Sequence, residues 1–91
     1  MANQRAANVL VVTENERCLD VAFVDYIKLV APDADSMLTI KDGDQNGTQV
    51  WCISAKAGTA TLDDTELRFS QGCYVTITGA GAKSYIVYSP P

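Results

Sequence analysis

"MLTIKDGDQNGTQVWCIS", Met37 to Ser54, is the stretch on which the fold class turns. "MLTIK" sets Leu38 and Ile40 against Thr39 and Lys41, and "TQVWCIS" sets Trp51 and Ile53 against Val50 and Cys52. Alternation of this kind marks pleated strands, whose successive side chains point to opposite faces. Between the two runs lies "DGDQNG", Asp42 to Gly47. Its glycines tolerate positive φ, and its Asp and Asn side chains hydrogen-bond a turn backbone. The stretch therefore reads as a β-hairpin, with the second strand apolar enough on both faces to sit centrally in a sheet.

The same loop matches the first half of a calcium-loop pattern, D-x-[DN]-x-[DN]-G, which makes Asp42, Asp44 and Asn46 candidate ligands. That pattern also needs a bidentate Glu at its twelfth position and helices on either side. Ile53 occupies the twelfth position, and the flanks alternate as strands. The loop is read as a turn, with no metal assigned, unless Asp63 or Glu66 folds back to complete a site.

Outward from the hairpin, strand-like runs recur every 8–12 residues or so between turn clusters, the signature of an antiparallel sandwich or small barrel. Residues 1–8, "MANQRAAN", are small and polar and read as a flexible arm preceding a single β domain over 9–91. "VLVV" is a β-branched strand. In residues 14–24, Cys18, Leu19, Ala22 and Phe23 recur at helical spacing behind a Thr13–Glu16 capping pattern, so a short helix competes there with strand. From Tyr26 the alternation of Ile27, Leu29 and Ala31 against Lys28 favours strand, and Pro32 ends it. "TLDDTEL" reads as a solvated acidic turn, running into a short strand at "ELRF". "CYVTITG" and "SYIVY" alternate as the last two strands, joined by "AGAK".

The chain has 91 residues, 47% of them hydrophobic and 20% charged, with a net charge of −4 and no His. That length suits one modest core. The acidic balance, with scattered basic residues, argues against nucleic acid as a partner. No apolar run approaches the roughly 20 residues of a membrane span, and no signal peptide is recognised at the start. Cys18, Cys52 and Cys73, odd in number and widely spaced, read as reduced, small core residues without an intramolecular disulfide, as in a protein made in a cytoplasm. Without His, no nucleophile–base set emerges, and the Gly-rich "TGAGAK" lacks the following helix of a phosphate cradle. No enzyme activity and no cofactor are expected. The candidate partner-contacting residues are Gln4 and Arg5 in the arm and the aromatics Trp51, Tyr74 and Tyr85.

The C-terminal third, "TELRFSQGCYVTITGAGAKSYIVYSPP", resembles the ends of small β-rich accessory proteins of tailed-bacteriophage virions through Leu67, Phe69, Gly72, Tyr74, Val75, Thr78, Gly79, Val87 and Tyr88. The resemblance implies a capsid decoration (cement) protein on the virion head, made in the host cytoplasm and binding the major capsid protein, other virion proteins or further copies of itself. The alternative is a β-sandwich binding module of a tail or fibre that recognises a sugar or host surface, with calcium at the 42–47 loop.

Overall fold

The computed structural model describes residues 3–6, 8–18 and 21–90, except for the side chain of Ala6. Among the described residues nine strands follow one another: β1 (Gln4–Ala6), β2 (Val9–Val12), β3 (Glu16–Cys18), β4 (Phe23–Ala31), β5 (Ser36–Asp42), β6 (Thr48–Ala55), β7 (Thr59–Arg68), β8 (Cys73–Thr78) and β9 (Lys83–Ser89). The expected all-β class holds, and among the described residues there is no helix. In the stretch 14–24, Glu16–Cys18 is strand and β4 begins at Phe23, while residues 19 and 20 lie outside the described set.

The ladders show how the chain is built. β5 and β6 pair antiparallel as the expected hairpin, with Leu38 opposite Ile53 and Ile40 opposite Trp51. The pairing continues outward from that tip, β4 with β7, β3 with β8 and β2 with β9. The chain is thus one long antiparallel hairpin with its tip at residues 43–47. It then rolls on itself, so that β9 also pairs with β4 and β8 with β5. Two antiparallel sheets result, sheet A in the order β1-β2-β9-β4-β7 and sheet B in the order β3-β8-β5-β6. Leaving aside the short β1, these four-stranded sheets have the jelly-roll order.

The facing sides of the two sheets make the core. Sheet A contributes Leu10, Val12, Val24, Ile27, Leu29 and Ile86, and sheet B contributes Leu38, Ile40 and Val75, all fully buried. Each such aliphatic side chain stabilises by about 1.5–3 kcal/mol relative to an exposed one. The alternation seen in the sequence is what delivers them to a single side.

The structure corrects four sequence expectations. "TLDDTEL" is no turn: it lies within β7, the longest strand, where Asp63 pairs with Ile27 and Asp64 with Tyr26. Its turn-like composition marks a bulge instead. The register slips between Val24 and Tyr26, Glu66 takes φ of 48°, and the buried Thr65 hydroxyl donates to the Val24 carbonyl at 3.0 Å. β6 is an edge strand, because the rolled hairpin ends there. Cys52, on its outward face, is therefore exposed, whereas Cys18 and Cys73 are buried. Finally, residues 4–6 of the expected arm form β1, which pairs with β2. The Asn3 side chain fastens this segment to the β2–β3 turn. Its Oδ1 accepts from the N–H groups of Thr13 and Glu14 at 2.8 and 3.1 Å, and its Nδ2 donates to the Glu14 carbonyl and Glu16 Oε1 at 3.1 and 2.7 Å. Residues 1, 2 and 7 of the arm lie outside the described set.

Candidate functional site

The roll places the five candidate contact residues on different surfaces. Tyr74 lies on the outer face of sheet B, in a cross-strand row with Arg17 and Lys41. Tyr85 lies on the outer face of sheet A. Trp51 is half-buried against the core at the seam between β6 and β7, where its Nε1 donates to Asp63 Oδ2 at 3.2 Å. Arg5 sits 3.8 Å from the Glu16 carboxylate on the opposite seam. Only Gln4 joins Tyr85, through the register of sheet A.

That register builds a continuous surface. One row crosses all five strands of sheet A as Gln4, Val11, Tyr85, Lys28 and Leu62. The next row holds Val9, Val87, Tyr26 and Asp64. Four of these residues (Val9, Val11, Tyr85 and Val87) are half-buried, while Tyr26 is 39% and Leu62 62% exposed. The outer face of sheet B differs. Beside the Arg17, Tyr74 and Lys41 row, its rows run Thr76, Thr39, Cys52 and Thr78, Met37, Ser54, so hydroxyls and charges outnumber apolar side chains, with Met37 45% exposed among them. On sheet A, Lys28 sits within the first row, between Tyr85 and Leu62, and Asp64 ends the second. Apolar side chains grouped on one face with charged neighbours are a feature of protein contact sites.

The face on sheet A was only half legible in the sequence. Tyr85 stood out as an aromatic alternating against Ile86. Leu62 did not, because its segment reads as a turn. The overlooked signal is that "VLVV" and "YIVY" are apolar at successive positions, which gives a strand two apolar faces when only one can meet the core.

The candidate metal loop has other work. Asp42 Oδ1 accepts the Gln71 N–H at 3.0 Å, while Oδ2 accepts the Ser70 hydroxyl at 3.0 Å and the Ser70 N–H at 3.4 Å. The Gln71 N–H, ahead of the Ser70 donors, holds the Asp42 carboxyl below its ordinary value against a partial desolvation that pushes it up. Asp44 Oδ1 accepts the Asn46 N–H at 2.8 Å, closing a local turn. Asp42 thus faces the 70–71 loop, while Asp44 is spent within its own. Among the described residues, no cluster of three or more Cys, Asp or Glu side chains is arranged to hold a metal ion. The Ser70–Asp42 contact pairs a hydroxyl with a carboxylate, but a carboxylate stabilised in its charged form is a poor base. Its evident role is to tie β5 to the turn before β8.

A shallow depression of about 360 Å³ opens between Asp35, Met37, Ser54, Lys56 and Thr78. It is lined without any aromatic side chain and gathers none of the candidate residues. Among the described residues, no helix is long and apolar enough to cross a membrane. Comparison with known proteins finds no matching family model, no similar curated protein and no matching solved structure.

Proposed function

We propose that this chain is a structural protein of a tailed-phage virion, seated on the head as a decoration or cement subunit. It contacts the capsid protein and neighbouring copies through the outer face of sheet A. The observation that carries this reading is the pair of cross-strand rows on that face, which leave Tyr26 and Leu62 open to solvent beside four half-buried apolar side chains. A domain of this size has little reason to keep two apolar faces on one sheet unless one meets a partner. The resemblance of the C-terminal third supplies the class of partner. Jelly rolls occur among viral capsid domains as well as lectins and cupins, so the strand order is in keeping with the reading by analogy of fold alone. The sugar-binding alternative draws less support, since Trp51 is engaged at a seam and the tyrosines are spread over both sheets.

Two measurements test this. Isolation of the native assembly, with its stoichiometry read by mass spectrometry, is expected to return the chain in fixed ratio with a capsid protein. Recovery as a monomer with no virion component refutes the proposal. In reconstitution, the double variant Tyr26→Asp, Leu62→Asp is expected to keep the β circular dichroism signal and to lower particle affinity at least tenfold. Two anchors worth about 1 kcal/mol or more each amount to that. Undiminished occupancy by the folded variant removes this face from the contact.

A further inference from the structure

Cys18 and Cys73, far apart in the sequence, are directly opposite each other on the adjacent antiparallel strands β3 and β8. Both are buried, at 1% and 0% exposure, on the inner side of sheet B, and both are thiols. Opposed residues in an antiparallel ladder have Cα atoms about 4.5 or 5.5 Å apart, according to the type of pair. Both separations fall within the roughly 4.4–6.8 Å that a disulfide spans. Two side chains sharing one face of the pleat also direct their Cβ atoms the same way. The remaining thiol, Cys52, lies on the outer face of the same sheet and cannot compete for this pairing.

From this register we infer that Cys18 and Cys73 form a redox pair, a dithiol in reducing surroundings that closes to an intramolecular disulfide when a small-molecule disulfide such as oxidised glutathione is supplied. One thiol loses its proton, and its thiolate attacks a sulfur of oxidised glutathione, forming a mixed disulfide and releasing one glutathione thiolate. The second protein thiolate then attacks the protein-side sulfur and expels the other. Two protein S–H bonds are lost and one S–S bond forms, while the two electrons and two protons end on two molecules of glutathione. Access for the oxidant is through β3, a three-residue edge strand held by β8 alone within its sheet. Local opening of such a strand needs far less than global unfolding. Closure fastens that edge and links positions roughly 55 residues apart, a long loop whose crosslinking restricts the unfolded chain strongly.

The test uses the full chain carrying Cys52→Ser, treated with oxidised glutathione under native conditions. The expected product is lighter by two hydrogens and yields a Cys18–Cys73 linked peptide on digestion. It melts on the order of 10 °C higher, with dithiothreitol reversing all three changes. A Cys73→Ala variant of the same chain, checked by circular dichroism, is expected to show no gain in melting temperature. Two outcomes overturn the inference in the Cys52→Ser chain itself, whether or not the Cys73→Ala variant folds. One is a treated protein that keeps both alkylatable thiols. The other is a disulfide that forms only in denaturant or lowers the melting temperature.

Discussion

Gly47 stands at the tip of the long hairpin, and replacing it by Ala tests whether that tip is as constrained as the structure shows. A Cβ at this position would overlap the Asp42 carbonyl oxygen and lie 2.9 Å from the Asp42 carbonyl carbon and 3.1 Å from the Asp44 oxygen. All three atoms are backbone of the same tight loop, so no side chain can swing aside. Gly47 is not among the residues with positive φ, so the sequence-based reason for its glycine, a left-handed backbone, gives way to one of close approach. Relief requires the loop to open, at the expense of the Gly47 N–H bond to the Asp44 carbonyl and strain on the Lys41 Nζ bond to the Gln45 carbonyl, both 2.9 Å. One or two hydrogen bonds at about 1 kcal/mol each, with about 1–2 kcal/mol of overpacking, give a destabilisation of about 2–4 kcal/mol. Gly58→Ala is the control. Gly58 has φ of 81°, but nothing lies within 4 Å of its would-be Cβ, so only the backbone penalty of about 1 kcal/mol applies. Urea unfolding followed by the fluorescence of the single Trp, Trp51, measures both variants. If Gly47→Ala costs less than Gly58→Ala at unchanged m-value, the close approach is not what fixes the tip.

Asp42 should give the fold an acid-sensitive component. Its folded pKa lies below the ordinary 3.8, so its contribution is fully present above that value and is lost as pH falls through the lower folded one. Wild type and Asp42→Asn are therefore expected to differ in urea midpoint near neutrality and to converge in strong acid; a constant offset down to pH 2 would contradict this. Asn3→Ala removes the four hydrogen bonds that fasten the N-terminal segment and should cost about 1–2 kcal/mol, seen as a fall in Tm. An unchanged Tm would return residues 3–6 to the status of a dispensable arm.

Much of this molecule was written locally. The hairpin from Met37 to Ser54, the strands at Val9, Tyr26, Cys73 and Ser84, and the core positions Ile27, Leu29, Leu38, Ile40 and Val75 follow from period-two alternation and turn chemistry, which neighbouring residues settle among themselves. The errors lay where a distant partner overrode local preference. "TLDDTEL" is poor strand sequence, yet β4 supplies the ladder and the bulge at Thr65 absorbs the misfit. "MANQRAAN" has too little apolar surface to order itself, and the Asn3 bonds and the β2 edge make up the difference for the residues described.

The candidate site divides along the same line. Sequence alone could nominate Tyr85 and set Asp42, Asp44 and Asn46 in a polar loop. It could not say that Asp42 faces the 70–71 turn, that Trp51 is engaged with Asp63, or that Val11, Tyr85, Lys28 and Leu62 form one row. These juxtapositions, like that of Cys18 with Cys73, arise only when the long hairpin rolls into two sheets. The chain's own pattern dictates which residues alternate. Which of two apolar faces is buried, and which residues far apart in sequence become neighbours, depends on burying both sheets at once, and that is a property of the whole fold.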